Sequence, residues 1–461
     1  MKHWIDELAT VLNAVVHTDE ETLLAHASDK WYAASVPEAV VLAESAQQVA
    51  AVMRFASERS IPVTPRGAGV GYVGGCVPVK GGILLSVAPM RRILELNPAD
   101  GVAVVEAGVL TADLQAAAAA AGWFYPPDPA SRKESSIGGN IATNAGGPRC
   151  LKYGVTRSYV LGLEVVLADG RILACGGRTH KNKQGFDLVG LFCGSEGMLG
   201  IVTQATLRLI PMPPARAALS ASFPRFALAA AAVQNILAAG HLPCAMEITD
   251  RYTLAAARDY LSNGALPATA EGHMIVEIDG QVDAVASELE AIRRVMLETG
   301  AGDVRAALTE EEVEAVWQLR REFSYSLKAT GLTKLNEDIV IPRSKLVELV
   351  AFCEGMQRET GIPVACFGHS GDGNIHTNIM VLRDAAGAER RQEAEALVNR
   401  LFAWVLEHGG SITGEHGIGL AKAPWFSRAV GNVSMSVHRA VKNALDPQGI
   451  LNPGKMGLFP E

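Results

Sequence analysis

The run VAAVMRFASER (Val49 to Arg59) repeats apolar residues at helical spacing behind Ser45-x-x-Gln48, a capping-box pattern, and so predicts a helix that stops before Ile61-Pro62. Short β-branched runs follow. Ile61 to Thr64, GGILLSV and GVAVVEAGV (Gly101 to Val109) read as strands, and a polyalanine stretch from Thr111 to Gly122 reads as a helix that can pack closely on a sheet. After a proline-rich turn at Tyr125 to Pro129, Ser135 to Gly147 (SSIGGNIATNAGG) carries too many glycines for a regular element and is expected to be a loop. From Val160 to Leu209 come further strands, GLEVVLADGRIL and GIVTQATLRLI, the first folded at an Asp169-Gly170 turn.

The period changes after Pro211-Met-Pro-Pro-Ala215, which predicts a domain boundary. Beyond it strands alternate with helices: ALSASF, an alanine-rich helix to Gly240, CAMEIT, a helix through Ala255, HMIVEI, and a helix from Asp283 to Thr299. A helix opened by Thr309-x-x-Glu312, the strand EDIVI, a helix from Ser344 to Thr360 and the strand PVACFGH complete the series. The pattern predicts an α+β domain whose helices cover one face of a mostly antiparallel sheet. Three parts are expected: residues 1–214, 215–410, and a C-terminal segment 411–461.

At 461 residues the chain is long enough for several cores, and 49% apolar with 20% charged residues describes a folded protein. Lys and Arg number 41 against 49 Asp and Glu, a net charge of −8, so no basic field draws nucleic acid. Seven scattered cysteines without a C-x-x-C pair read as reduced thiols in a cytoplasmic setting. Asp6 and Glu7 stand where a secretory signal would be apolar, and the uncharged run Phe226 to Met246 is interrupted by Gly240, His241 and Pro243, so neither a signal nor a membrane span is predicted.

Gly69-x-Gly71-x-x-Gly74 fits the dinucleotide fingerprint on paper, but Gly75-Cys-Val-Pro and a strand follow it instead of a helix. That context argues against NAD at this loop. It leaves a run of bare backbone amides beside Arg66, and such a nest cradles a pyrophosphate without a helix.

The second cluster of chemistry lies late in the chain. His369-Ser-Gly-Asp-Gly-Asn-Ile-His376 places two imidazoles on the flanks of a strong turn, and Thr413-Gly-Glu415-His416-Gly-Ile-Gly419 adds a carboxylate and a third imidazole between glycines. Two His and one Glu with a position left for substrate fit catalytic zinc, and also Fe(II) or Mn(II). On the helix TEEEVEAVWQLRREFSYSLK, Arg320 and Ser324 lie four apart on one face, whereas Arg321 reads as a solvated surface residue.

Taken together, PRGAGVGY, the turn Pro126 to Pro129, SIGGNIATNAGG and GSEGMLGIVT resemble the FAD-binding domain of the vanillyl-alcohol oxidase and p-cresol methylhydroxylase superfamily. FGHSGDGNIHTNI, TGEHGIG and LDPQGILNPGKM narrow the resemblance to the branch of D-lactate dehydrogenases, glycolate oxidase flavoprotein subunits and D-2-hydroxyglutarate dehydrogenases. It covers nearly the whole chain. It implies a two-subdomain FAD-binding domain followed by a substrate domain, with the last segment returning to the flavin.

By that resemblance Pro65, Arg66, Gly67, Ala68, Gly69, Val70, Gly71 and Tyr72 hold the FAD pyrophosphate. Pro127, Ser136, Gly139, Asn140, Thr143, Asn144, Gly146 and Gly147 run along the ribityl chain and flavin, Gly200, Ile201 and Val202 meet the adenine half, and Asn452 returns to the flavin. Neither Pro65 to Gly75 nor Ser135 to Gly147 contains the histidine by which some members tether FAD, so noncovalent FAD is expected. His369, His376 and Glu415 match the family's metal ligands and His416 its catalytic base, while Arg320, Ser324 and Lys334 bind the substrate carboxylate, the register around Lys334 being open by a residue or two.

The implied reaction is FAD-dependent oxidation of a D-2-hydroxy acid of the D-lactate, glycolate or D-2-hydroxyglutarate type. A quinone, a cytochrome or an electron-transfer flavoprotein takes the electrons, partner subunits or a homodimer are compatible, and so is peripheral attachment to a membrane. Two alternatives stand beside it: a flavin-binding subunit without activity of its own, and a flavoprotein acting on an aldonolactone or an ether lipid precursor.

Overall fold

The structure, a computed structural model, describes residues 3–12, 15–261, 266 and 269–459. The chain divides into two compact units that are discontinuous in sequence: Met1–Gly147 with Gly154–Met212 and Glu415–Glu461, and Pro148–Tyr153 with Pro213–Gly414.

The first unit holds two sheets. Strands Ala39–Leu42, Ile83–Ser86 and Val63–Arg66 form a parallel three-stranded sheet, fully buried at Ile83–Ser86. A five-stranded antiparallel sheet runs in the order Ile93–Asn97, Val102–Glu106, Ile201–Arg208, Val160–Val166, Ile172–Gly176. Helix Ala46–Arg59 starts as expected, with Ser45 Oγ accepting from Gln48 N, and the polyalanine helix occupies Thr111–Ala120.

Ser135 to Gly147 departs from expectation, because Ile137–Thr143 is helical despite its glycines. Ser136 caps it by accepting from Gly139 N, and the glycines are there for close packing: a Cβ on Gly138 would lie 2.8 Å from Ala107 Cβ. Glycine weakens a helix in water by roughly 1 kcal/mol per residue, and contact that only glycine permits offsets the penalty here.

The second unit is one seven-stranded sheet, ordered Asp303–Ala307, Ala215–Phe223, Gly272–Gly280, Ala245–Asp250, Val364–His369, Asn374–Val381, Thr333–Val340, with every pairing antiparallel. Helix Glu310–Ala329 opens with the complete Thr309/Glu312 capping box and buries Val313, Trp317, Phe323 and Leu327. Side chains of that size contribute roughly 1.5–3 kcal/mol each when fully buried.

The expectation of helices on one face is corrected. Strand residues alternate between faces, and Ala365 and Phe367 pack on Leu327 of that helix, while Cys366 between them meets Cys353 of helix Leu346–Thr360. Helices therefore cover both faces, which is why strands Val364–His369 and Asn374–Val381 are buried at every position. Among the described residues no helix is long and apolar enough to cross a membrane.

Candidate functional site

In the second unit the turn Ser370 to Gly373 folds one strand back on the next, as the Gly-Asp-Gly-Asn sequence predicts. Gly373 has φ +89°, and a Cβ there would stand 2.2 Å from the Ile341 carbonyl oxygen, so only glycine fits. The hairpin register pairs Phe367 with His376 and His369 with Asn374, and the two-residue period puts both histidines on one face. Their rings lie 5.3 Å apart, nearly perpendicular, and both are buried.

The neighbouring strand contributes a carboxylate that the sequence did not single out. Glu247 pairs in register with His369, accepts from its Nδ1, and accepts from Arg320 Nε at 2.6 Å. Burial alone would push this carboxyl up, but His369 and Arg320 outweigh it and hold it at about 2. The Arg320 guanidinium also lies 4.7 Å over the Phe367 ring. Arg321 turns outward to Glu314 and Gln318, as its surface reading required.

Lys334 lies on the edge strand with its register partner Met380 and donates to Ser324 Oγ at 3.0 Å. Ser324, Arg320 and Lys334 are thus linked in one neighbourhood. Burial first, and then the positive charges of Lys328 and Arg320, lower the Lys334 ammonium to about 8. Four positions along, Asp338 is fully buried opposite His376 and accepts from Asn374 Nδ2 at 2.6 Å, Thr413 Oγ1 at 3.0 Å and the Gly414 amide at 2.9 Å. It fixes Thr413 and Gly414 at the entry to the Glu415-His416 motif, a role with no mark in the sequence around it.

The first unit carries the remaining predicted residues. Gly67 faces the N-terminus of helix Ile137–Thr143, where a Cβ would come 2.6 Å from Ser136 Oγ and 3.5 Å from Gly139 Cα. The Arg66 guanidinium covers Gly69 (φ +70°) and donates to the Ser28 carbonyl at 2.7 Å. Pro65 lies against Gly197, Thr143 donates back to Gly139 O at 3.2 Å, and Asn144 closes the helix in a left-handed conformation. Asn140 is buried and donates to Thr111 Oγ1 at 2.7 Å, and Gly147 presses on the Asp128 carbonyl beside Pro127.

Gly200 packs on Val165 and Phe192 at the start of the central strand that holds Ile201 and Val202. Asn452, also left-handed, donates to Gly75 O at 3.0 Å and Glu196 O at 2.7 Å, so the C-terminal segment is tied to the glycine loop. Glu196 itself, buried within Gly-Ser-Glu-Gly, accepts from the amides of Ile418 at 2.6 Å and Gly419 at 2.7 Å. Burial raises its carboxyl above the usual range in spite of those two donors. Just before them His416 stacks on Tyr72 at 5.2 Å, and its Nε2 lies 4.0 Å from Glu415 Oε1.

The donor set fits a flavin dinucleotide. Glycine-rich backbone at Gly67 to Gly71, Arg66 beside it and the capped start of the Gly138-Gly139 helix offer amides and one guanidinium to phosphate oxygens.

Two family profiles match the chain: "FAD binding domain" over residues 37–176 and "FAD linked oxidases, C-terminal domain" over 212–456. The glycolate oxidase subunit GlcD of Bacillus subtilis (strain 168) is 39% identical over 422 residues, 92% of this chain and 89% of that protein. A D-lactate dehydrogenase of Anaerostipes hadrus is 35% identical over 431 residues, 92% and 90% of the two chains. A D-2-hydroxyglutarate dehydrogenase of Stutzerimonas stutzeri (strain A1501) is 33% identical over 98% of each. Among solved structures, p-cresol methylhydroxylase with substrate bound superposes with a TM-score of 0.80 over 99% of this chain and 97% of that one, at 19% identity, a likeness of fold.

Proposed function

We propose, from the premise that this chain belongs to the FAD-linked oxidase family with the vanillyl-alcohol oxidase fold, that it oxidises a D-2-hydroxy acid to the 2-oxo acid. Membership makes it an FAD-dependent oxidoreductase. The observation that carries the substrate class is the sheet face of the second unit, where Arg320, Lys334 and Ser324 gather near two adjacent imidazoles.

A 2-hydroxy acid presents a carboxylate and a hydroxyl on one carbon. Arg320 receives the carboxylate by a bidentate fork, and Lys334, steadied by Ser324 Oγ, adds a second positive charge. By the family's motif, His369 and His376, with Glu415 as the third donor, would hold a divalent metal, zinc first on donor type, with Mn(II) or Fe(II) as substitutes. When bound, FAD would supply the hydride acceptor and the metal a Lewis acid for the hydroxyl oxygen, chemistry that side chains lack. His416 takes the hydroxyl proton on its imidazole, and Tyr72 supports the ring by stacking. The flavin is held noncovalently by Pro65 to Tyr72, Ser136 to Gly147, Gly200 to Val202 and Asn452.

Three relatives are named as subunits, which favours a second reading in which companion subunits carry electrons onward to a quinone, a cytochrome or an electron-transfer flavoprotein. One experiment tests both. D-lactate, glycolate and D-2-hydroxyglutarate are added anaerobically to the purified chain while the visible flavin band is followed. Bleaching by any of them establishes the half-reaction in the isolated chain. Bleaching without turnover on an acceptor dye supports the companion-subunit reading, and a band unmoved by all three sinks the proposed reaction for the isolated chain.

A further inference from the structure

Glu247 sits on the central strand of the second unit's sheet, between Gly272–Gly280 and Val364–His369, with 1% of its surface exposed. Both carboxylate oxygens are committed. Oε1 accepts from His369 Nδ1, and Oε2 accepts from Arg320 Nε at 2.6 Å. A carboxylate can only accept, so His369 must carry its proton on Nδ1 and present Nε2 as the lone-pair nitrogen. The same carboxylate fixes the plane of the Arg320 fork, already seated over Phe367.

We propose that Glu247 is a positioning residue that sets the His369 tautomer and aims the Arg320 guanidinium at once, so that metal retention and substrate-carboxylate recognition depend on one buried carboxylate. This rests on the roles given above to His369 and Arg320. The competing explanation is an ordinary buried ion pair that fastens helix Glu310–Ala329 to the sheet. The two differ in what they predict. A fastening ion pair affects stability alone, whereas a positioning carboxylate affects two ligands of different chemistry in a folded protein.

The test uses the full chain with FAD bound, in the variants E247Q and E247D. A glutamine offers one acceptor and one NH2 to a place lined by two donors, so it satisfies His369 or Arg320 but not both. Zinc affinity is measured by competition with a chelator, with FAD content and thermal stability recorded beside it, and KM and kcat are determined for the substrate that bleaches the flavin. E247Q is expected to bind zinc about 10- to 100-fold more weakly, the usual cost of removing an outer-shell partner, with KM raised by about tenfold and FAD content unchanged. E247D keeps the charge with a shorter reach and is expected to fall between the wild type and E247Q in both readouts, which also covers the case in which E247Q does not fold.

A folded E247Q or E247D with lowered stability but with zinc affinity and KM within about twofold of wild type overturns the inference and leaves the fastening ion pair. A wild-type protein that takes up no zinc and shows no bleaching instead overturns the proposed function. Zinc uptake and bleaching in the wild type, with an unchanged Gln variant, overturn only the role of Glu247.

Discussion

The proposed role of Lys334 predicts a pH limit on substrate capture. Its ammonium is lowered to about 8 by burial, helped by Lys328 and Arg320, so about nine-tenths of it is charged at pH 7 and about one-tenth at pH 9. A charge-assisted pair to a carboxylate is worth roughly 1.5–3 kcal/mol, so the neutral form should bind the 2-hydroxy acid about 10- to 100-fold more weakly, held by Arg320 alone. KM should therefore be level up to about pH 7.5, rise about tenfold per unit beyond pH 8, and flatten at that ceiling.

Lys334→Arg keeps its charge throughout and should give a level profile, and Lys334→Met should be level at the raised value from pH 7 upward. The assay is KM with a dye acceptor across about pH 6.5 to 9.5. Substrate-free stability moves the other way: the folded ammonium sheds its proton at about 8, below the ordinary 10.5, so the unfolded chain binds more protons between those values and stability rises with pH there. Lys455, also lowered to about 8 by burial, adds to the same slope. A wild-type KM that stays level to about pH 9.5, or a Lys334→Met protein with normal KM at pH 7, refutes the reasoning.

Arg320→Ala should lose about 10- to 100-fold in kcat/KM while FAD content stays near one per chain; an unchanged kcat/KM would return Arg320 to a purely structural role. His376→Ala and Glu415→Ala should lose zinc and flavin reduction together, whereas His416→Ala should keep zinc and lose single-turnover reduction at pH 7, with metal content measured by mass spectrometry; three variants with full zinc and normal rates would contradict these assignments. Acid precipitation should release the FAD into the supernatant, and flavin that stays with the pellet would establish a covalent link. Gly138→Val should destabilise the chain by roughly 1–3 kcal/mol and lower FAD content, because its side chain has no room beside Ala107, and a normal melting temperature would show that the sheet can yield there.

Motifs dominated by turn chemistry were legible in the sequence. Gly371-Asp372-Gly373-Asn374 dictates a reversal, and with the two-residue period of the flanks it brings His369 and His376 to one face. Glycine misled where it served packing rather than turning. In Ile137–Thr143 it lets a helix lie against Ala107, a demand made by the neighbouring backbone and invisible in the local string. The long helix Ala423–Leu445 was hidden for a related reason, since Gly431 breaks it internally with φ +80°.

The buried carboxylates were beyond sequence reasoning altogether. Glu196, Glu247 and Asp338 are three among 49 acidic residues, and nothing in the residues around Glu247 tells it apart from a surface glutamate on a strand edge. Its place comes from register: strand Ala245–Asp250 pairs with Val364–His369 so that Glu247 meets His369, and helix Glu310–Ala329 sets Arg320 on its other oxygen. A shift of one residue in that pairing would turn Glu247 to the opposite face and leave the Arg320 guanidinium and the His369 Nδ1 proton without that acceptor. Glu247, His369 and Arg320 thus penalise the wrong register, so the cluster proposed as functional helps to select the fold that creates it.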